Sequence, residues 1–567
     1  MGGILIDGKL VKLPGTYVTT KVQESGTPVF SNFNIAAIVG EHFMGPVYSA
    51  TPDDIIEMIP AFSSPSEAAR VYSEGDMITQ FRQMRKKTTS PVLILGMGKV
   101  TKVSFTLVDD ATPTPNDVVT LTSKLGGIPT NAIYMAITAV GNVKTVTITP
   151  PHLIKRLVAD AASGAKVLKL TNVDGLYPGK TMFLSKSGTG TPASITIESV
   201  DSVNNTVTLT AAIGAAYSTA NFSFIFDKDL SSQEKASFDT MTLEQFTNWI
   251  NTNSRIFTAE IETGATTAPV AFAEKHVASI TGATPATNTA LVDADWLTFT
   301  DEFFGLAEAY YAASRLKIRH LLIKSTSATH HGYLKTMAAN MRADGWPIQV
   351  WTGVALGDHN QAESASTHPI ARAKALASQD IILAGHGLDG LSAALSLAPR
   401  ALGEVLAADT THNLTNDNMD AVQVEKLFGT SNKLEAERWL SAGVLFCQSK
   451  ADGFRVTQGV NTYQDQNRNW NAQEKATYLI MQRQLADEWN ADARLNFEDL
   501  HGADNLTLSL ISGRAVAFRN TKVDLGKVTE ETTVSSITKT ENGWRVAWDV
   551  HFPSADDFIE LVTNIIA

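Results

Sequence analysis

A chain of 567 residues is too long for one ordinary domain and reads as three or four. With 44% hydrophobic and 18% charged residues it can bury a sizeable core, and its net charge of −12 disfavours a duplex-DNA coat or an anionic-membrane binder, both of which usually carry a basic face. The single cysteine, Cys447, excludes an intrachain disulfide, and the lack of any CxxC or Cys/His cluster or of a long apolar run disfavours structural zinc and a membrane span.

The first residues, MGGILIDGKLVKLPGTYVTT, lack the basic start and apolar run of a signal peptide, which points to assembly in the cytoplasm. Ile4-Leu5-Ile6 and Leu10-Val11 are short apolar pieces broken by Asp7-Gly8 and Pro14-Gly15, so this stretch reads as one or two extended segments with turns. A short strand at a chain end needs a sheet to join. The run IAAIVG at 35–40 reads as a buried strand. Thr51 or Asp53 can cap a short helix over Ile55, Ile56 and Ile59. Residues 66–85 read as one helix and 92–95 as a buried strand.

Between 101 and 227 the texture changes to Thr, Val, Ser, Asn and Gly in short alternating runs. Residues 195–210 predict a strand, an Asn204-Asn205 turn and a second strand, and only 153–162 predict a helix. This is an inserted, mostly β region of a kind that surface loops tolerate. From Asp229 strands and helices alternate. Helices are expected at 243–251, 301–315, 333–342, 370–377 and 391–397, and strands at 320–323, 348–352 and 380–383. That alternation argues for an α/β unit with parallel pairing.

The final third is built differently. Asn471 and Glu474 form a capping box for a helix to about 489, and Asp504 can cap a helix over 506–518. Residues 532–540 predict a strand, Asn542-Gly543 a hairpin turn, and the next strand places Trp544, Val546, Trp548, Val550 and Phe552 on one face. Residues 558–566 (FIELVTNII) are apolar almost throughout. Such a strand needs cover on both faces. It either folds back as the third strand of its own C-terminal sheet or adds to a neighbour's.

The expected fold is therefore mixed α/β and multidomain: an α/β core, an inserted mostly-β region, and a C-terminal helix-plus-antiparallel-sheet domain with extended terminal arms. The boundaries read as 1–22 for the N-terminal arm, 23–100 and 228–410 for the core, 101–227 for the insertion, 411–556 for the C-terminal domain and 557–567 for the last arm.

The best enzyme signal is GHGLDG at 385–390, a GxGxxG turn between a predicted strand and a predicted helix. Pro399 interrupts that helix, and no strand ending in an acidic residue follows about 20 residues on. Tight turning explains the three glycines equally well. His386, Asp389 and Ser392 have the residue types of a hydrolytic triad in one local segment, without a GxSxG elbow. His330-His331 reads as polar residues at a helix start, since neighbours on a helix face different ways. Cys447 reads as a small buried side chain, and Trp439, Trp470 and Trp489 as core or interface anchors. No catalytic, cofactor-binding or metal-binding residue is expected, and no cofactor.

Leu13-Pro14-Gly15-Thr16-Tyr17-Val18, then an apolar strand and GEHFMGP at 40–46, resemble the "PGVYV" and Gly-Pro stretches of the contractile bacteriophage tail sheath proteins. ITGATPAT at 280–287 resembles their "LTGGTDG", with Gly282-Ala283 in place of the double glycine, and APRALGEVLAADTTHNLTN at 398–416 resembles a "G-ArtD" helix ending in "LTN". Ala442-Gly443-Val444, Gly459-Val460-Asn461-Thr462 and Arg483 resemble the family's "aGV", "rGiNT" and "vRri". The likeness covers most of the chain outside roughly 101–227.

The resemblance implies a non-enzymatic subunit of the virion tail, assembled in the host cytoplasm. Its partners would be itself in a six-fold helical sheath, the tail tube protein, and baseplate and tail terminator proteins, with no sequence-specific nucleic acid and no membrane insertion. It further implies an N-terminal arm with Ile4, Ile6, Leu10 and Val11, and a C-terminal arm with Phe558, Ile559, Leu561, Val562 and Ile565. The receiving sheet would hold Val534, Ile537, Trp544, Val546, Trp548 and Val550. The alternatives are a nucleotide-binding α/β enzyme using residues 385–390, or a self-assembling shell protein that does not contract.

Overall fold

The computed structural model describes residues 4–6, 9–11, 35–73, 75–186, 192–344, 346–391, 393–407, 414–428, 432–463, 485, 488–489, 492–493, 507–540 and 543–550. Two compact units emerge, one of residues 1–38, 80–93 and 296–567, the other of residues 39–79 and 94–295.

A seven-stranded sheet has the order Val444–Leu445, Ile381–Ala384, Gln349–Gly353, His320–Ile323, Ala36–Gly40, Val92–Gly96, Ala61–Phe62. The pairings from His320–Ile323 out to Val444–Leu445 are parallel. Every residue of Ala36–Gly40, Val92–Gly96 and Gln349–Gly353 is buried, as in a sheet covered on both faces. In the first unit the connecting helices are Ala328–Ala343, Pro369–Leu376, Ala393–Ala407 and Lys433–Ser441. The helix preceding them, Asp293–Ser314, starts earlier than expected and buries Trp296, Phe299, Phe303, Leu306, Ala307 and Tyr310 at helical spacing.

Pro399 does not stop its helix, which runs on to Ala407. Leu397, Ala398, Ala401, Leu402 and Val405 are all buried, and that packing outweighs the one backbone bond the proline removes. The single helix expected over 66–85 is two, Pro65–Tyr72 and Asp76–Met84. Ser64 caps the first, and Ser73, at a left-handed φ of 59°, ends it.

The second unit is mostly β. A three-stranded sheet (Phe257–Ile261, Asp117–Gly126, Lys102–Val108) and a four-stranded one (Glu234–Phe238, Val143–Thr149, Tyr134–Val140, Phe272–His276) share one core. Phe105 and Leu121 enter it from the first sheet, Met135 and Ile148 from the second, and Leu243, Phe246 and Ile250 from the helix Leu243–Asn253. The β-rich region therefore continues past residue 227, because the strands after it pair back onto earlier ones.

A six-stranded sheet follows the order Pro151–Arg156, Phe224–Lys228, Thr181–Ser185, Ala193–Asp201, Thr206–Leu209, Val167–Lys169. The Val158 N–H donates to Lys169 O at 3.0 Å and the Thr171 N–H to Arg156 O at 2.9 Å. These bonds join the two outer strands, so the sheet closes into a small barrel around Leu168, Leu184, Ile197, Val207 and Ile225. The helix expected at 153–162 is absent: Pro151–Arg156 is a strand, with a register shift between His152 and Lys155.

In the GEHFMGP segment Gly45, and outside it Gly96 and Gly98, crowd His42, a residue only 4% exposed. The Gly98 N–H donates to His42 Nδ1 at 2.9 Å. A Cβ at Gly96 would lie 2.3 Å from Nδ1, and one on Gly45 2.8 Å from Cδ2. Gly96→Ala is therefore expected to lower stability by about 1–3 kcal/mol through overpacking. Thermal unfolding checks this, and an unchanged midpoint would show the cradle to be loose.

Candidate functional site

The C-terminal module starts at Thr507, whose hydroxyl accepts the Leu510 N–H and caps the helix Leu508–Asp524. The expected capping residue, Asp504, lies outside the described residues. Ile511, Ala515 and Phe518 form the buried stripe of this helix. Phe518, Trp489 and Trp548 meet edge to face, with ring centroids 5.1–5.8 Å apart. Arg519 donates from Nε to Thr532 O at 2.9 Å, which ties the helix to the base of the first strand. Glu488 takes Lys522 at 2.5 Å and Lys527 at 3.0 Å.

The strands Thr533–Thr540 and Gly543–Asp549 form an antiparallel hairpin. Its register sets Val534 opposite Trp548, Ile537 opposite Val546 and Lys539 opposite Trp544. The structure thus brings the sequence-predicted receiving residues into one small sheet, with Val550 just past its end. Val534, Ile537, Val546, Trp548 and Val550 are half-buried, and the side chain of Trp544 lies outside the described residues. This sheet has two strands and no third among the described residues.

At the other end, Ile4–Ile6 pairs antiparallel with Lys9–Val11, and Ile4 stands opposite Val11. Among the described residues this pair is likewise a two-stranded sheet. Isolated hairpins are marginal in water. Phe558, Ile559, Leu561, Val562 and Ile565 lie outside the described residues, as does the helix expected from Asn471 for all but a few positions.

The GHGLDG turn holds a carboxylate of the chain itself. Glu425 accepts the Gly387 N–H at 2.7 Å on Oε2 and the Gly357 N–H on Oε1. The backbone donors that a nucleotide phosphate would need are thereby taken. Two of the triad residue types are engaged with other groups. His386 Nε2 accepts the Cys447 N–H at 2.9 Å and its Nδ1 faces Gly387 O at 3.1 Å, while Asp389 pairs with Arg400. Ser392 lies outside the described residues.

His331 is fully buried, contrary to its reading as a polar helix start. Its Nε2 lies 2.7 Å from Ser325 O, and its Nδ1 faces Arg372 at 3.1 Å. Cys447 is buried, and burial pushes its thiol well above the usual range. Among the described residues no His, Cys, Asp or Glu group could hold a metal ion, and no helix is long and apolar enough to cross a membrane. Glu425 escaped the sequence reading, because its partners are 38 and 68 residues away and no local pattern marks it.

No family model and no curated protein matches this chain. The sheath tail protein Lin1278 of Listeria innocua is similar over 94% of this chain and 93% of its own, at 14% identity and a TM-score of 0.53. The sheath tail protein of Desulfitobacterium hafniense is similar over 94% of this chain and 98% of its own, at 13% identity and a TM-score of 0.49. The contracted helical sheath of the anti-feeding prophage is similar over 49% of this chain and 78% of its own, at 13% identity and a TM-score of 0.32. This chain shares its fold with the Listeria innocua protein.

Proposed function

We propose that this chain is a structural, non-enzymatic subunit of a contractile tail sheath. It polymerises as stacked six-fold rings around a tail tube and shortens to drive the tube through the host envelope for genome delivery. The observation that carries the reading is the hairpin Thr533–Asp549, which sets the expected receiving residues in one two-stranded sheet among the described residues. Residues 1–22 and 557–567 are the donated arms, and a neighbouring copy is the acceptor. Strand addition gives main-chain bonds of about 0.5–1.5 kcal/mol net each and needs no large rigid face. Subunits joined in this way can reorient without separating, which is what a bistable packing requires.

The partners under this reading are the chain itself, the tube protein, and the baseplate and terminator proteins. The place is the virion tail, after assembly in the host cytoplasm. The likeness in fold to the Listeria innocua protein supports the reading. Negative-stain microscopy of the purified full chain tests it. Hollow rods with a regular axial repeat are the expected result, whereas a monodisperse monomer at every concentration up to its solubility, with and without a tube, would overturn it.

A further inference from the structure

Two loops that follow adjacent parallel strands converge on one carboxylate. Gly357 comes after Gln349–Gly353, and Gly387 after Ile381–Ala384. Each gives its N–H to a different oxygen of Glu425, and His359 Nδ1 lies 3.1 Å from Oε1. The Glu425 side chain is 10% exposed and that of His359 7%. Both donors depend on glycine. Gly357 has φ +86°, and a Cβ on Gly387 would stand 1.6 Å from the Leu391 carbonyl oxygen. Paired, converging backbone N–H groups of this kind form an anion cradle.

Glu425 reaches the cradle on a strap, residues 414–428. Val424 bridges Leu388, the Asp389 N–H donates to Gln423 O at 3.0 Å, and the Glu425 N–H donates to Gly387 O at 2.9 Å. Asp389 Oδ1 accepts the Val422 N–H at 2.8 Å and the Gln423 N–H at 3.2 Å.

We propose that this cradle is an oxyanion-binding site whose resident ligand is Glu425, and that the site holds the strap shut. The tethered carboxylate acts at an effective concentration in roughly the millimolar range or above, so free anions do not displace it. Remove the carboxylate and the cradle accepts a small free oxyanion in its place. The two N–H groups recognise carboxylate or phosphate oxygens alike.

The test uses the full chain carrying Glu425→Ala, with sodium acetate and sodium phosphate as probes against chloride at equal ionic strength. The variant is expected to melt below the parent. Acetate, phosphate or both should raise its Tm saturably, while moving the parent no more than chloride does; the arm that succeeds identifies the preferred anion. Cleavage after Lys426 by a lysine-specific protease should be faster in the variant and slowed by the effective anion. Equal shifts in parent and variant, or no shift in the variant, overturn the proposal. If Glu425→Ala does not fold, Glu425→Gln, which keeps the volume and one carbonyl acceptor, takes its place in the protease assay. Faster cleavage slowed by acetate or phosphate supports the site, and cleavage at the parent's rate overturns it.

Discussion

A chain ending at residue 556 is expected to fold and to give no long rods. A donated strand making roughly five main-chain bonds contributes ~3–8 kcal/mol per junction at about 0.5–1.5 kcal/mol each. Losing that weakens association by roughly 10²–10⁶-fold. A polymer multiplies the loss over every ring. The hairpin Thr533–Asp549 keeps its own register and its contact with Phe518 and Trp489, so the acceptor survives while the donor is gone. A near-ultraviolet spectrum matching the full chain would show the fold intact, and negative-stain images would then be read for rods. Leu561→Pro in the full chain is the companion variant, because proline removes one donor from the strand without shortening the chain. Long, regular rods from either variant would remove strand donation from the account.

How far the fold could be read from the sequence depended on whether its signals were local. Ala36–Gly40 and Val92–Gly96 were legible because continuous apolar runs mark strands covered on both faces. The C-terminal hairpin was legible because Asn542-Gly543 and the alternation of Trp544, Val546 and Trp548 say the same thing twice. The barrel strand Pro151–Arg156 was not. Leu153, Ile154 and Leu157 recur at helical spacing, yet pairing with Phe224–Lys228, far along the chain, decides the outcome. The bulge there carries Leu153 at φ 47°, which no periodicity announces. The same holds for Glu234–Phe238 and Phe257–Ile261, whose partner strands Val143–Thr149 and Asp117–Gly126 lie far earlier in the chain. At the GHGLDG turn the glycine spacing was correctly seen, but its meaning rested on Glu425.

The protein is expected to lose most of its stability on mild acidification, between about pH 6.5 and 4.5. Six histidines are no more than 6% exposed, and five of them, His42, His276, His320, His331 and His386, are shifted furthest down; the sixth, His368, is also lowered by burial. Burial is the largest cause in each case, and it lowers the ring from 6.5 to about 4 for His42, His276, His331 and His386, and to about 3 for His320. The hydrogen bonds agree. One ring nitrogen accepts an N–H from Gly98 in His42, from Cys447 in His386 and from Trp351 in His320, so a second proton there breaks a bond already made. In the unfolded chain these rings bind protons near pH 6.5, in the fold only near 3–4. Between those values the unfolded state holds more protons, and stability falls as pH falls. By pH 5 each histidine costs on the order of 2 kcal/mol, and five together cost about as much as a typical domain's whole stability. Asp380 works the other way, since burial raises its carboxyl and the fold gains on protonating it, but it is one group against five. Carboxylates held low, such as Asp109 at about 2, matter only at lower pH. Urea midpoints followed by tryptophan fluorescence should be flat above about pH 7 and drop steeply from 6.5 to 4.5, and His42→Asn should flatten that slope by about one proton. A midpoint that holds steady down to pH 5 and gives way only below 4 would place the acid sensitivity in the carboxylates instead.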